Sequence, residues 1–280
     1  MIPLLGVSRQ SLYYSPKQSD KDAVLVAEIK DAHTHHPAYG HRRMALHLKI
    51  NHKRTERVMR LNHLKPPRGR HRHHSCTVST YTHPYTNLIK EIPKRGIAPH
   101  YIWVCDVSYF KFQGQFWYLV TIEDMATRQV LSAWVGKYHN AALVLSAIKQ
   151  AIQVSGNLPA YFHTDQGKEF MAQVVTTYLE LQGVKVSVSA KASPWENGYK
   201  ESFFGRFKEE FGDINRFDTP GELIEEIYSQ VHYYNHDRIH TALKMPPVAY
   251  AQLLDNLYEK RGTRQGSSPR VGSSKNKIGG

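Results

Sequence analysis

Cysteine is scarce in this sequence, and long apolar runs are missing. Only Cys76 and Cys105 occur, far apart in the chain. This spacing supports neither a disulfide framework nor a zinc site built on a pair of thiolates. No apolar run approaches the roughly 18 residues of a membrane span, and the opening MIPLLGVSRQ lacks the basic flank and long apolar centre of a signal peptide. We therefore expect a soluble protein of a reducing compartment with no membrane partner.

Acidic residues are almost absent from two segments that carry the basic excess of the chain. The net charge is +13, from 37 Lys and Arg against 24 Asp and Glu. Only Glu56 is acidic between His41 and Ser75, and no acid follows Lys260. This distribution predicts a nucleic-acid-binding segment attached to a domain that is not generically basic. The candidate phosphate contacts of the first segment are Arg42, Arg43, Lys53, Arg54, Arg57, Arg60, Arg68, Arg70 and Arg72.

The first 65 residues have the pattern of a helical region. Two short helical segments, HRRMALHLKI and NHKRTERVMRLNHLK, surround a turn, and the second places Lys53, Arg57 and Arg60 on one face. This favours a helix-turn-helix-like DNA-binding region, although a solvated basic face is a common alternative. Residues 66–98, with few large apolar side chains, are interpreted as a basic linker or an arm along phosphates.

The spacing of apolar residues changes from helical intervals to β-rich runs near residue 99, which marks residues 99–212 as an α/β domain. Three β-rich runs, YIWVCDVSYF, QFWYLVTIEDM and VLSAWVG, precede a helix that ends at Gly156. A strand at YFHTDQG, a helix at KEFMAQVVTTYLELQG, a strand at VKVSVSA and a helix after Pro194 follow. The order βββαβαβα predicts a mixed five-stranded sheet flanked by helices. Residues 213–258 are expected to form a helical extension, and residues 259–280 a disordered basic tail that is native or a remnant of expression.

Three carboxylates stand at positions that suit metal chemistry. Asp106 lies inside the first strand, where an unpaired buried acid is costly, and Asp165 ends the fourth strand. If those strands pair, the two acids are neighbours, and the helix carrying Glu201 can fold back over them. Three converging carboxylates need cations between them, and two divalent ions stabilise the attacking and leaving oxygens of a phosphoryl displacement. Oxygen ligands favour Mg²⁺.

The interval between the last two acids makes a family resemblance specific. Thirty-five residues separate Asp165 from Glu201, and Lys208 follows two helical turns later. This pattern resembles the D, D(35)E core of retroviral integrases and of bacterial insertion-sequence transposases. HTDQGKEF, ENGYKESFFGRFKEE, HPAYGHRRMALHL and YYNHDRIHTALKMPPVAY are similar to segments of the transposases encoded by the second reading frame of two-frame elements. Glu196 and Gly198 depart from a common form with Asp and Ala, which affects the subgroup and leaves the triad intact.

The resemblance implies a fold, a reaction and partners. The core is expected to be ribonuclease H-like, with Asp106, Asp165 and Glu201 holding two Mg²⁺, for which Mn²⁺ can substitute. Water then cuts DNA at the element end, and the freed 3′-hydroxyl attacks another strand. The implied partners are double-stranded DNA of the terminal inverted repeats and of the target, further copies of this chain, and the product of the upstream reading frame. The resemblance also implies a bacterial cytoplasmic protein that is associated with the nucleoid. Expected DNA contacts in the core are Trp195, Asn197, Tyr199, Lys200 and Lys208.

Several alternatives stay open at this stage. The chain could be a catalytically silent DNA-binding regulator or subunit with the same fold, or a nuclease that only hydrolyses. Glu123 and Asp124 are rival metal ligands, but their position before a turn favours a structural role. His163 is either a partner of a metal-ligating carboxylate or an ordinary strand histidine. The last helix carries four aromatic residues whose helical spacing favours core packing over base stacking: Phe203, Phe204, Phe207 and Phe211.

Overall fold

The computed structural model describes residues 18–67, 84–93, 96–189 and 198–261, and the side chains of residues 18–20, 198–201 and 259–261 are outside that description. The chain forms two compact units, Met1–Arg68 and Gly69–Gly280. Five of the expected DNA contacts, Arg68, Arg70, Arg72, Trp195 and Asn197, lie outside the described residues, as does most of the predicted tail. No helix within the described ranges is long and apolar enough to cross a membrane.

The described part of the first unit, residues 18–67, contains three helices: α1 (Gln18–His35), α2 (His41–His47) and α3 (His52–Leu61). Their apolar faces meet in a small core in which Ile29, Met44 and Val58 are fully buried. The side chain of Asn51 accepts a hydrogen bond from the Lys53 N–H and so caps the start of α3. The predicted pair of short helices around a turn is therefore present.

The second unit is built on a five-stranded mixed sheet. Its strands are β1 (Ile102–Phe112), β2 (Gln115–Asp124), β3 (Val130–Gly136), β4 (Tyr161–Thr164) and β5 (Lys185–Val188), in the order β3-β2-β1-β4-β5. The first three strands are antiparallel, and β4 joins β1 and β5 in parallel. The predicted order of elements and the mixed sheet are confirmed.

Helices cover both faces of the sheet. On one face, α4 (Ala141–Ser155) and α5 (Gln173–Leu181) pack on strand residues that include Trp103, Val120 and Ile122. On the other face, α6 (Gly198–Phe211) and α7 (Pro220–His236) pack on strand residues that include Phe110, Trp117 and Leu119. A last helix, α8 (Pro247–Arg261), follows. Burial on both sides explains why the strands are so rich in apolar residues.

Local signals account for several helix ends. The Asn140 side chain accepts the Leu143 N–H at the start of α4, and Gly156 ends that helix with φ of 63°, a conformation that favours glycine. Thr219 caps α7 through the Glu222 N–H, and Pro220 occupies the first helical position. Each of these ends is set by residues that are neighbours in the chain, and the end at Gly156 agrees with its prediction from the sequence.

Two predicted segments differ from the structure. The helix expected from Lys168 begins only at Gln173, because residues 167–171 form a turn that buries Phe170 and Met171 in the core. The second segment is the predicted linker or arm at 66–98, part of which packs on the sheet. Residues 84–93 lie against β5, where the Val188 N–H donates to the Thr86 carbonyl and Ile89 is buried. Tertiary packing overrides the local pattern in both places.

Candidate active site

Strand pairing aligns two of the three candidate acids. Strands β1 and β4 pair in parallel from Ile102 opposite Tyr161 to Val104 opposite His163. Continuing this register by two residues places Asp106 beside Asp165, just beyond the end of β4. Aligned residues of parallel strands share a face of the sheet. The two positions therefore adjoin at the edge where β4 leaves the sheet.

Backbone donors orient both carboxylates. One oxygen of Asp106 accepts the Val107 N–H at 2.8 Å, and one oxygen of Asp165 accepts the Gly167 N–H at 2.9 Å. Desolvation by the surrounding protein raises the pKa of Asp165, and the charge of Glu169 raises it further, against the opposing Gly167 N–H and His139. The carboxylate thus sits in a place where its negative charge is disfavoured. A bound cation would relieve that cost.

Helix α6, which carries Glu201, lies over the face of the sheet that holds Asp106. Side chains alternate along β1, so Phe110 shares the face of Asp106. Phe110 contacts α6 through Phe207 and Phe211, with ring centroids 6.5 and 5.4 Å apart. The Glu201 side chain lies outside the described residues, although its backbone is in the first turn of α6. Among the side chains that the structure does describe, no three His, Cys, Asp or Glu form a metal-binding group.

Lys208 extends from α6 toward the same edge. Its ammonium lies 5.0 Å from the ring centroid of Tyr109 and 5.5 Å from that of Phe110. Burial lowers the pKa of Lys208, and the negative charge of Asp106 acts in the opposite direction. The predicted DNA-contacting lysine is therefore held close to a candidate catalytic carboxylate. Tyr199 and Lys200 belong to the first turn of α6, but their side chains lie outside the described residues.

Sequence reasoning missed a histidine–glutamate pair beside Asp165. His139 Nε2 lies 2.8 Å from a carboxylate oxygen of Glu169, and the His139 ring stacks on Tyr118 with centroids 4.9 Å apart. The hydrogen bond that His139 donates to Glu169 raises the pKa of His139, burial lowers it, and the charges of Glu169 and Asp165 raise it further. A side chain at position 167 would collide with the Glu169 carboxylate and the Phe170 ring. The motif HTDQGKEF carried a signal for Glu169, whereas nothing marked His139.

The rival acids have structural roles. Asp124 accepts hydrogen bonds from the N–H groups of His100 and Ala126 and from the hydroxyl of Thr127, the last at 2.7 Å. It therefore fixes the turn between β2 and β3, as its position before a turn predicts. Glu123 is buried with its carboxylate 4.0 Å from Arg128.

The remaining candidates of the core are also engaged in packing. The His163 nitrogens lie 3.0 and 3.1 Å from the hydroxyls of Ser187 and Ser189, so this histidine joins β4 to the segment of β5. The four aromatic residues of α6 are all buried in one apolar cluster with α7, as their helical spacing predicts. They are Phe203, Phe204, Phe207 and Phe211.

In the first unit, several of the predicted DNA contacts bind other parts of the protein. Arg57 forms an ion pair with Asp22 at 2.6 Å, and Arg54 lies 3.4 Å from the same carboxylate. Arg43 donates to the Ala38 carbonyl and lies over the Tyr39 ring. By contrast, three of the predicted contacts are exposed: Arg42, Lys53 and Arg60. The basic face of α3 thus divides into residues that hold α1 and residues that reach solvent.

Sequence comparison places the second unit in a known domain family. Two models of the integrase core domain match residues 97–194 and 182–247. An uncharacterized transposase-like protein of Haemophilus influenzae is 30% identical over 204 residues, which is 72% of this chain and 94% of that protein. The putative transposase InsK for insertion sequence element IS150 of Escherichia coli is 28% identical over 255 residues, or 87% of this chain and 89% of that protein.

Structural comparison agrees on the fold. The cryo-EM structure of the simian T-cell lymphotropic virus intasome in complex with PP2A regulatory subunit B56 gamma aligns with a TM-score of 0.50 and 16% identity, covering 87% of this chain and 78% of that one. The sheet with helices on both faces is accordingly the ribonuclease H-like architecture of an integrase core. With the matched domain models and the relative in Haemophilus influenzae, this shows that the chain belongs to the integrase-core family of insertion-sequence transposases.

Proposed function

We propose that this protein catalyses Mg²⁺-dependent DNA strand cleavage and strand transfer at the ends of an insertion sequence. Membership in the transposase family makes DNA transposition its general process and polynucleotidyl transfer its general reaction. The observation that carries the finer proposal is the parallel register of β1 and β4, which, continued by two residues past Val104 and His163, sets Asp106 beside Asp165. We assign the third acidic role to Glu201, whose position in α6 lies on the helix that covers the same face.

The donor set suits a hard divalent cation. Asp106 and Asp165 offer carboxylate oxygens on adjoining positions, and backbone N–H groups hold both in place. Two Mg²⁺ ions held by these residues and Glu201 would stabilise the charge that develops on the phosphoryl oxygens during displacement. Mn²⁺ would fit the same oxygen ligands. The raised pKa of Asp165 supports the assignment, because the site disfavours an isolated negative charge.

The residues around the acids would position the DNA. Lys208 lies near Asp106 and can neutralise a phosphate beside the scissile bond. The His139–Glu169 pair restrains the loop that follows Asp165. Arg238 binds Glu210 at 2.6 Å and thereby ties α6 to the end of α7. The chain's own part in the reaction is thus to hold three carboxylates and a lysine in register around one phosphodiester.

A defined assay tests this proposal. Purified protein with Mg²⁺ is incubated with labelled oligonucleotides that end in the terminal inverted repeat of its own element. Joined strands are expected among the products, as strand transfer requires. Products that are only hydrolysed would indicate a nuclease, and binding without any product would indicate a silent DNA-binding protein. The sedimentation of the DNA complex would show whether several copies assemble on two ends.

The two classes of basic residue on α3 should respond differently to substitution. Replacing Lys53 and Arg60 by Gln should reduce the slope of log affinity against log salt by about 0.9 for each phosphate that is no longer neutralised. Arg57→Gln should instead lower the thermal stability of the first unit, because it breaks the ion pair with Asp22. Fluorescence anisotropy at several salt concentrations measures the slope. An unchanged slope in the double variant would mean that this face does not meet phosphate.

A further inference from the structure

A row of aromatic side chains lies on the hairpin formed by β1 and β2. We call Tyr109, Phe116 and Tyr118 the hairpin row. Tyr109 and Phe116 are 47% and 44% exposed, with ring centroids 5.5 Å apart, and Phe116 lies 6.4 Å from Tyr118. Tyr118 in turn stacks on His139. Large exposed apolar groups that adjoin one another commonly mark a binding surface.

The sheet leaves this end of the hairpin uncovered. Tyr109 pairs with Tyr118, and Lys111 pairs with Phe116, so all four side chains share one face of the sheet. Helix α4 covers the β3 side of that face, from Leu143 beside Gly136 to Gln150, which bonds Ser132, and leaves Tyr109 and Phe116 exposed. Because β4 is short, no strand among the described residues pairs with β1 beyond Val104 on that side. Among the residues that the structure describes, the edge of β1 next to Tyr109 is therefore open to a partner strand.

Cations accompany the aromatic rings. The ammonium of Lys111 lies 6.0 Å from the ring centroid of Phe116, and that of Lys208 lies 5.0 Å from the ring centroid of Tyr109. Residues 107–120 contain no Asp or Glu. Aromatic faces interleaved with cations and without acids are the combination that binds single-stranded nucleic acid, since bases stack on rings and phosphates meet ammonium groups.

Two contacts connect the hairpin row with the candidate active site. The ammonium of Lys208 lies near the ring of Tyr109 on one face of β1 and near that of Phe110 on the other. It also interacts electrostatically with the carboxylate of Asp106. At the other end of the row, His139 joins Tyr118 to Glu169 in the loop after Asp165. A strand whose phosphate lies at the acids would therefore reach the hairpin row around the open edge of β1.

We propose that the hairpin row binds unpaired nucleotides of the DNA strand that adjoins the reacting phosphate. The inference rests on the proposed function, since it takes DNA as the substrate of the adjoining site. Unpaired bases are favoured over duplex because stacking within a duplex conceals the base faces that Tyr109 and Phe116 would meet. Lys111 and Lys208 neutralise phosphates of the same strand.

The test compares single-stranded and duplex probes without catalysis. A labelled oligothymidine and a blunt duplex are titrated with the full chain in EDTA, and binding is followed by fluorescence anisotropy. Tyr109→Ala and Phe116→Ala should each weaken oligothymidine binding by between about 5- and 100-fold, with little effect on the duplex. The matched control is Tyr228→Ala, which removes an aromatic ring that is 40% exposed on α7 and should change neither affinity.

Other outcomes would overturn the inference. Unchanged oligothymidine binding by the Ala variants would overturn it, and so would an equal loss of affinity for both probes. Variants that lose self-association but still bind oligothymidine would show that the hairpin row binds a second copy of the chain. If an Ala variant unfolds, the parent protein is instead photocrosslinked to a single strand that contains 5-iodouracil. The inference then requires the crosslinks to map to Tyr109 or Phe116. Asp106→Asn should bind oligothymidine like the parent, so failure of the inference is separable from failure of the proposed reaction.

Discussion

Replacing Asp106 by Asn is expected to reduce both strand cleavage and strand joining by about 10³-fold or more. The amide keeps the size of the side chain but removes the charge that binds cations, and lost stabilisation of several kcal/mol corresponds to a rate effect of this order. Glu201→Gln should have an effect of the same order. The measurement is the yield of cut and joined oligonucleotides in single-turnover reactions with Mg²⁺.

The control for this experiment is another acid in the same unit. Asp213 caps a short 3₁₀ helix at Ile214–Arg216 by accepting the Asn215 N–H, and Asp213→Asn preserves that acceptor while removing the charge. This variant should retain parental activity. DNA affinity in EDTA should be similar in all three variants. If Asp106→Asn or Glu201→Gln joined strands at the parental rate, the assignment of that residue as a cation ligand would be lost.

Replacing Arg238 by Met is expected to destabilise the second unit by about 3–5 kcal/mol. Arg238 donates to both oxygens of Glu210 at 2.6 and 2.7 Å, and the two side chains are only 3% and 7% exposed. Removing the guanidinium leaves the Glu210 charge buried without its main compensation. Because Glu210 lies on α6, the loss should also loosen the helix that carries Glu201. Unfolding in urea measures the stability, and the strand-transfer assay measures the activity.

A second ion pair supplies the matched control for Arg238. Arg216 lies 2.7 Å from Glu226, but these side chains are 48% and 38% exposed, so Arg216→Met should cost about 0–1 kcal/mol. Adding Glu210→Leu to Arg238→Met should restore part of the lost stability, because the uncompensated charge is then removed. Equal effects of the two single Arg replacements would show that burial of the Arg238 pair does not determine its contribution.

Much of the fold could be predicted because its signals are local. Runs of β-branched and aromatic residues mark the three antiparallel strands, and Asn140, Gly156 and Thr219 act through hydrogen bonds or backbone conformation within one helical turn. The burial of the α6 aromatic residues follows from spacing along a single helix. Each of these features depends on residues that are neighbours in the chain.

The predictions were less accurate where a side chain's contacts depend on residues far away in the sequence. Position on α3 alone made Arg57 equivalent to Lys53, but Asp22, which lies on another helix, binds Arg57. The start of α5 moved to Gln173 because Phe170 and Met171 enter the core. His139 follows β3 with no surrounding motif, and its relevance appears only when Glu169 comes within 2.8 Å.

By itself, the sequence determined the order of elements and the family resemblance and predicted the three acids, because these inferences depend on residue types and on intervals along one chain. Only the tertiary structure showed that the register of β1 and β4 leads to Asp106 and Asp165, that Arg57 forms an ion pair with Asp22 of α1, and that Tyr109 and Phe116 are exposed. The reason is that strand register and the length of β4 are set by packing between segments far apart in the chain. Such packing determines which side chains contact each other and which stay exposed to solvent.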